Sequence, residues 1–152
     1  MKILVFDDKP DVNYFIKEYF ENEMYDIISC TNCSDVKKIL NEDIFDCYIV
    51  DLSAAGFGLE EEIRRKTQGG LLTGWFLLTE YIWKNDLDSI NKTIIFSDYI
   101  TQLNRYIDSD NASHDEKDKF NQLVKNKSTI FKSEGLPALK KAILLINEKR
   151  LL

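Results

Sequence analysis

The sequence has few of the residues that bind zinc or form disulfides. Histidine occurs once, at His114, and cysteine three times, at Cys30, Cys33 and Cys47. A structural zinc site needs four nitrogen or sulfur ligands, and the Cys30-x-x-Cys33 pair has no second pair to complete it. An odd cysteine count without a secretion signal is typical of reduced thiols in a cytoplasm. We therefore interpret the cysteines as small apolar residues rather than as a redox or metal centre.

Long apolar runs and clusters of positive charge are also missing. No apolar stretch reaches membrane-spanning length, and the N-terminus lacks the layout of a signal peptide, so we expect a cytoplasmic protein with no membrane partner. Acidic residues outnumber basic ones by 26 to 20, which gives a net charge of −6. This balance argues against nucleic acid as the main partner.

No repeat, low-complexity tract or linker rich in proline and serine divides the chain. Residues 1–152 are therefore most simply one domain, long enough to bury about 68–70% of the surface of the unfolded chain. Apolar residues make up 44% of the sequence and charged residues 30%, which is ordinary for a globular protein.

Five short apolar runs, rich in β-branched and aromatic residues, predict strands. Their near-continuous apolar character is typical of strands that are buried on both faces. The runs are 2–7, 26–30, 47–52, 93–97 and 128–132.

Helical patterns separate these runs. The first covers 10–23, with an apolar stripe of Val12, Phe15, Ile16, Tyr19 and Phe20. The second begins near Ser34, a good N-cap residue, and ends at Leu40. The third contains Leu71, Leu72, Trp75, Phe76, Leu78, Ile82 and Trp83, whose aromatic members we interpret as core, and the last covers 135–150. Strands that alternate with helices predict an α/β fold, with a doubly wound parallel sheet covered on both faces.

Two segments exceed this minimal alternation. The segment 53–70 contains LEEEIRRK, in which three glutamates precede three basic residues by four positions, as in a solvated helix. The segment 98–127 predicts a short helix over 100–107, a polar loop and a charged helix over 114–125. We interpret both as solvated surface, with a partner-docking site as the alternative.

Polar residues stand at the carboxyl ends of four of the predicted strands. Strand one ends in Asp7 and Asp8, strand three in Asp51, strand four in Ser97 and strand five in Lys132. In the sheet order 2-1-3-4-5, strands one and three are neighbours at the point where strand order reverses, which is where such sheets bind ligands, and strands four and five follow beside strand three. We therefore expect all five side chains to converge.

Three clustered carboxylates need a counter-charge. Mg²⁺ suits them, because it prefers oxygen ligands and typically binds one or two carboxylates together with phosphate oxygens. Lys132 adds a second positive charge and Ser97 a hydrogen-bond donor. A nucleophilic carboxylate, a metal and two groups that hold phosphoryl oxygens are what phosphoryl transfer to an aspartate requires.

With these residues in place, the chain resembles the receiver domains of bacterial two-component response regulators over essentially its whole length. The likeness rests on the acidic pair in ILVFDDKP, the phosphoacceptor in CYIVDLS, the serine in IIFSD, the lysine in TIFKS and Gly74 in TGWFLL. The resemblance implies a flavodoxin-like fold, with insertions after strands 3 and 4, that acts as a signalling phosphoacceptor. Beyond phosphorylating and dephosphorylating itself, such a protein is not an enzyme.

The resemblance also implies roles for the site residues. Asp8 and Asp51 bind Mg²⁺ directly with the backbone carbonyl of Ser53, and Asp7 contributes through water. Asp51 takes a phosphoryl group from a sensor histidine kinase or a phosphotransfer protein in a phosphorelay. Ser97 and Lys132 read the new charge, and the signal passes on by protein–protein interaction.

The sequence departs from the family pattern at several positions. No proline follows the phosphoacceptor, and about fifteen extra residues separate Asp51 from Gly74. Asp98 replaces a small residue after Ser97, where its charge is expected to hinder phosphorylation or to repel the product. Thr129 stands where the family has an aromatic switch residue, and Ser133 where a proline usually follows the lysine.

Three functions follow from these patterns. We favour a phosphoacceptor that stands alone, with no effector domain expected after Leu152. A receiver-like interaction module that no longer cycles phosphate is the alternative suggested by Asp98 and Thr129. A phosphatase with an aspartyl nucleophile on strand one is disfavoured, because an acid should follow two positions after the nucleophile and the sequence has Lys9 and Pro10.

Overall fold

A single five-stranded parallel sheet organises the protein, in the predicted order β2-β1-β3-β4-β5. The structure, a computed structural model, describes residues 1–84 and 86–152. The strands are β1 (Lys2–Phe6), β2 (Asp26–Cys30), β3 (Cys47–Val50), β4 (Thr93–Ser97) and β5 (Thr129–Phe131). Each predicted strand is confirmed, with ends that differ from the prediction by at most two residues.

Helices cover both faces of this sheet. Residues of α1 (Pro10–Tyr19) and α7 (Gly135–Arg150) form one apolar core with the sheet. The other core is built from α2 (Cys33–Leu40), α4 (Thr73–Leu77), α5 (Ile100–Asp108) and α6 (His114–Lys125). The short helix α3 (Glu61–Arg64) lies between β3 and α4, and 3₁₀ turns occur at Arg65–Thr67, Leu87–Lys92 and Lys132–Glu134.

Alternate residues of β1 enter the two cores. Leu4 and Phe6 belong to the core under α2 and α4, and Ile3 and Val5 to the core under α1 and α7. The central strands β3 and β4 are buried throughout, whereas the edge strands β2 and β5 are partly exposed. Within the described residues, no helix is long and apolar enough to span a membrane.

The prediction for α1 is partly wrong. The helix ends at Tyr19, and Phe15 and Tyr19 are 57% and 42% exposed. Only the row at spacing four, Val12, Ile16 and Phe20, packs on the sheet, so the adjacent row faces outward. The predicted start of α2 is also corrected, because Asn32 rather than Ser34 is the N-cap, with its Oδ1 accepting the amide of Asp35 at 2.9 Å.

A π-helical turn, Leu78–Ile82, continues α4. The amide of Trp83 donates to the carbonyl of Leu78 at 2.8 Å, and this spacing of five residues is the hydrogen-bond pattern of a π-helix. Trp75 and Trp83 meet edge to face with ring centroids 5.4 Å apart. Trp75, Phe76 and Trp83 are buried, which confirms that the predicted aromatic residues belong to the core.

The segments after β3 and β4 present charged faces to solvent, as predicted, but they also contribute to the core. Leu59 in the first segment is buried, as are Leu103 and Phe120 in the second. Of the three predicted acid–base pairs in LEEEIRRK, the described ion pairs include only Glu61 with Arg65, at 2.8 Å.

The three cysteines are buried, unpaired thiols. Burial raises the pKa of Cys30 to about 11 and that of Cys33 to about 12, so both stay protonated at neutral pH. Their environment matches their interpretation as small apolar residues.

Candidate functional site

The carboxyl ends of β1 and β3 lie side by side and carry the aspartates just beyond them. The amide of Asp51 donates to the carbonyl of Phe6 at 2.9 Å, and the amide of Asp7 donates to the carbonyl of Cys30 at 3.2 Å. These bonds extend the ladders of the sheet by one residue, and they fix the backbone from which both acids project.

Three of the predicted acids form one cluster. Asp7, Asp8 and Asp51 each offer a carboxylate oxygen, and these oxygens lie within 4.8 Å of one another. Asp7 and Asp51 are buried, while Asp8 is exposed. An acidic cluster at the end of a sheet, with one side open to solvent, can accept a divalent cation.

Lys132 reaches this cluster from β5. Its Nζ lies 2.7 Å from Oδ2 of Asp7 and 3.0 Å from Oδ2 of Asp51. Burial alone lowers the pKa of Lys132, but its hydrogen bonds to both aspartates and their charges outweigh burial, so the pKa is raised. Lys132 therefore carries its positive charge at neutral pH, between the two buried acids.

Not all of the carboxylate oxygens have a protein partner. Both oxygens of Asp7 are engaged, since Oδ1 accepts the amide of Lys9 at 2.9 Å. In contrast, Oδ1 of Asp51 is buried and accepts no hydrogen bond from the described residues. Asp8 forms no side-chain hydrogen bond or ion pair within the described part of the chain. Asp8 and Asp51 are thus the acids with oxygens available to a ligand, and hard carboxylate oxygens suit Mg²⁺.

Ser97 is buried at the end of β4, beside the loop that follows Asp51. Its Oγ accepts the amides of Leu52 at 3.3 Å and of Tyr99 at 3.2 Å. Burial raises the pKa of Asp51, the neighbouring hydroxyl of Ser97 and the ammonium of Lys132 counteract it, and the charge of Asp7 adds to it, with a raised pKa as the result. Oγ accepts from two amides and keeps its own O–H, and the interaction of this hydroxyl with the Asp51 carboxyl lowers the pKa of Asp51.

Gly74 brings α4 against the loop after β3. Its amide donates to the carbonyl of Leu52 at 2.8 Å. A Cβ at this position would lie 1.9 Å from the carbonyl oxygen of Asp51, a distance too short for any residue other than glycine in this backbone arrangement. The glycine therefore sets how closely the helix approaches the backbone of the proposed phosphoacceptor.

The remaining predicted residues lie at the rim. Ser53 is half-buried two positions after Asp51, and Asp98 is exposed and outside the acidic cluster. The residues after β5 form a 3₁₀ turn in which Glu134 accepts the amide of Phe131 at 2.7 Å. This cap holds the turn where the family has a proline.

Sequence reasoning missed the side chain of Asn13, whose Nδ2 donates to the backbone carbonyl of Asp7 at 3.0 Å. An asparagine in the first turns of an amphipathic helix looks like an ordinary polar-face residue, so the sequence carries no signal for this contact. It also gives no sign that the amides of Leu52 and Tyr99 meet on Ser97.

A scan against protein-family models gives no match, and neither does a search of curated proteins. Solved structures do match. A receiver domain of the Francisella response regulator 1452 is 20% identical, with a TM-score of 0.58 over 97% of this chain and 98% of that one. The response regulator TrrA from Thermotoga maritima, in complex with Mg²⁺-BeF, is 22% identical, with a TM-score of 0.63 over 95% and 97%.

A response regulator receiver domain from Clostridium thermocellum is similar to the same extent, at 20% identity and a TM-score of 0.62 over 99% of this chain and 97% of that one. All three likenesses span the whole sheet and the helices on both of its faces. The strand order and the acidic cluster at the carboxyl edge of the sheet agree with the expected architecture. The chain therefore has the flavodoxin-like fold of response regulator receiver domains.

Proposed function

We propose that the protein is a Mg²⁺-dependent phosphoacceptor that carries a signalling phosphoryl group on Asp51. One observation carries the proposal: Oδ1 of Asp51 is buried and has no hydrogen-bond partner among residues 1–84 and 86–152, while Oδ2 is held by Lys132 at 3.0 Å. A carboxylate held in this way presents one free oxygen as a nucleophile. The similar TrrA structure, a complex with Mg²⁺-BeF, supports the choice of metal.

Transfer of a phosphoryl group to Asp51 needs only the phosphorylated donor and a proton from solvent. Oδ1 of Asp51 attacks the phosphorus of a phosphohistidine on a partner protein, and a P–O bond forms as the P–N bond breaks. The imidazole nitrogen leaves with the electron pair and takes up a proton. Bound Mg²⁺ would neutralise charge on the phosphoryl oxygens, and Asp8, Asp51 and the carbonyl of Ser53 would hold it.

The buried polar residues then respond to the new charge. Phosphorylation of Asp51 places extra negative charge beside Lys132 and Ser97, which favours their interaction with the phosphoryl oxygens. Residues 1–152 act as one receiver domain, and the donor is a sensor histidine kinase or a phosphotransfer protein in the cytoplasm. The output is a changed affinity for a downstream protein rather than turnover of a substrate.

The experiment is labelling by a small phosphodonor, such as acetyl phosphate, in the presence of Mg²⁺. Intact mass spectrometry should show one added phosphoryl group on the wild-type chain and none on Asp51→Asn. Asp26→Asn is the matched control, because Asp26 is an exposed aspartate at the start of β2. Chelation of Mg²⁺ should abolish the labelling.

The alternative is a receiver-like interaction module that does not use phosphate, favoured by exposed Asp98 next to Ser97. A wild-type chain that stays unlabelled, under conditions that label an ordinary receiver, would support this module and exclude the phosphoacceptor. Labelling of Asp51→Asn to the wild-type extent would place the phosphoryl group elsewhere.

A further inference from the structure

The position of the Asp8 carboxylate depends on the backbone. Asp8 is exposed and makes no side-chain hydrogen bond or ion pair among the described residues. Lys132 fixes Asp7 and Asp51 through their Oδ2 atoms. The location of the Asp8 carboxylate is therefore set by the turn that connects β1 to α1.

Asn13 holds the peptide group that precedes Asp8. Its Nδ2 donates at 3.0 Å to the backbone carbonyl of Asp7, which belongs to the Asp7–Asp8 peptide plane. Rotation of this plane swings the Cα–Cβ bond of Asp8, because the peptide is rigid and only the adjoining dihedrals are soft. The bond from Asn13 thus restrains the direction in which Asp8 projects.

The amide of Asn13 is poorly suited to a purely stabilising role. The side chain is buried, with 6% exposure, and its Oδ1 has no hydrogen-bond partner among the described residues. A buried acceptor without a partner lowers stability. The hydrogen bond from Nδ2 of Asn13 to Asp7 is therefore accompanied by the cost of leaving Oδ1 of Asn13 unsatisfied. An apolar residue of similar size at this position would avoid that cost.

We infer that Asn13 is a positioning residue for the metal site, which orients Asp8 toward the cation through the Asp7 carbonyl. The inference rests on the proposed function and adds a residue that touches neither the metal nor the phosphoryl group. Outer contacts of this kind typically change metal affinity by about 10- to 100-fold when they are removed.

The test is a Mg²⁺ titration of the full chain, followed by tryptophan fluorescence. Trp75 is a suitable reporter, because it follows Gly74, which packs against the backbone of Asp51. Asn13→Leu removes the donor and the unsatisfied oxygen while keeping the volume, and Asn13→Ala guards against a clash. Asn104→Leu is the matched control, since Asn104 also donates from its side chain to a backbone carbonyl, that of Ile100, at 3.2 Å.

We expect both Asn13 variants to bind Mg²⁺ about tenfold or more weakly than the wild type. The thermal midpoint of metal-free Asn13→Leu should stay close to the wild-type value, and Asn104→Leu should keep the wild-type affinity. Saturating Mg²⁺ should restore phosphodonor labelling of Asn13→Leu, which would assign the loss to metal affinity.

Affinity within twofold of the wild type in both Asn13 variants overturns the inference and leaves the proposed function intact. An equal loss of affinity in Asn104→Leu overturns it too, because the effect would then be general. A wild-type chain that binds no Mg²⁺ contradicts the proposed function itself, and the positioning role falls with it.

Discussion

At the scale of single residues, the site holds the carboxylate of Asp51 in a buried position where its negative charge is unfavourable. Asp51 is buried and its pKa is raised above the ordinary value of 3.8, mainly by burial. The ionised form is therefore less favourable in the folded protein than in the unfolded chain. This unfavourable free energy is reduced when Asp51 binds a proton, when a cation binds beside it, or when a neutral residue replaces it.

Asp51→Asn tests this effect through its dependence on pH. The folded wild-type protein binds a proton more tightly than the unfolded chain, so its stability falls as pH rises from 3.8 through the raised folded pKa. In metal-free solution the variant should be more stable than the wild type above that pKa, and the difference should shrink as pH is lowered through it. Urea unfolding with a chelator, at a series of pH values, measures the difference, and a constant difference would contradict the assignment.

Gly74→Ala tests the close approach of α4 to β3. The added Cβ would lie 1.9 Å from the carbonyl oxygen of Asp51, so helix or loop must shift, at a cost of about 1–3 kcal/mol or more in the free energy of unfolding. Gly56→Ala is the matched control, because the three atoms nearest its added Cβ all belong to the side chain of Arg64 and none to the backbone. Equal losses in urea unfolding of the two variants would argue against a special role for Gly74.

At the scale of elements, Glu116 ties the helices after β4 to α4. Its carboxylate accepts Nε1 of Trp75 at 2.8 Å and the hydroxyl of Tyr106 at 2.9 Å. It also accepts the amide of Ser113 at 3.1 Å and so completes the capping box of α6. One side chain therefore connects three helices.

Glu116→Ala should destabilise the protein by about 1–3 kcal/mol, because it removes the acceptor of the buried Trp75 indole and leaves the buried Tyr106 hydroxyl with only the distant carbonyl of Asn111, at 3.4 Å, among the described residues. Asp115→Ala removes a neighbouring acid from the same helical turn, whose exposed carboxylate pairs with Lys119 at 2.8 Å, and should cost about 0–1 kcal/mol. Urea unfolding compares the two variants, and the emission of Trp75 should change only in the first. Equal effects would show that Glu116 acts simply as a charge at the start of α6.

The elements also show how far the sequence alone can lead. The sequence pattern predicts α6 and α7 with the bounds that the structure has. The convergence of Asp7, Asp51 and Lys132 is predictable too, since parallel strands bring their carboxyl ends to one edge. The outward row of α1, the contact of Asn13 with Asp7 and the cap by Glu134 depend on tertiary packing, and local patterns carry no information about it.

At the scale of the whole molecule, a bound cation should stabilise the fold. A ligand that binds only the folded state adds about 2.7 kcal/mol of stability when its concentration is one hundred times the dissociation constant. Mg²⁺ should thus raise the thermal midpoint of the wild-type chain, while sodium chloride at matched ionic strength should not. Asp51→Asn should lose most of the rise, and an undiminished rise would place the cation elsewhere.

The order of the strands along the chain ties the assembly of the sheet to the neutralisation of its charges. Asp7 and Asp51 come from the first and third strands, whereas Lys132 follows the fifth, 81 positions after Asp51. A chain in which β5 has not yet docked holds its acidic cluster without this amine, and the carboxylates repel one another. Docking of β5 completes the edge of the sheet and also places the ammonium of Lys132 beside Asp7 and Asp51. The repulsion between these two buried carboxylates is therefore reduced only when the last strand has joined the sheet.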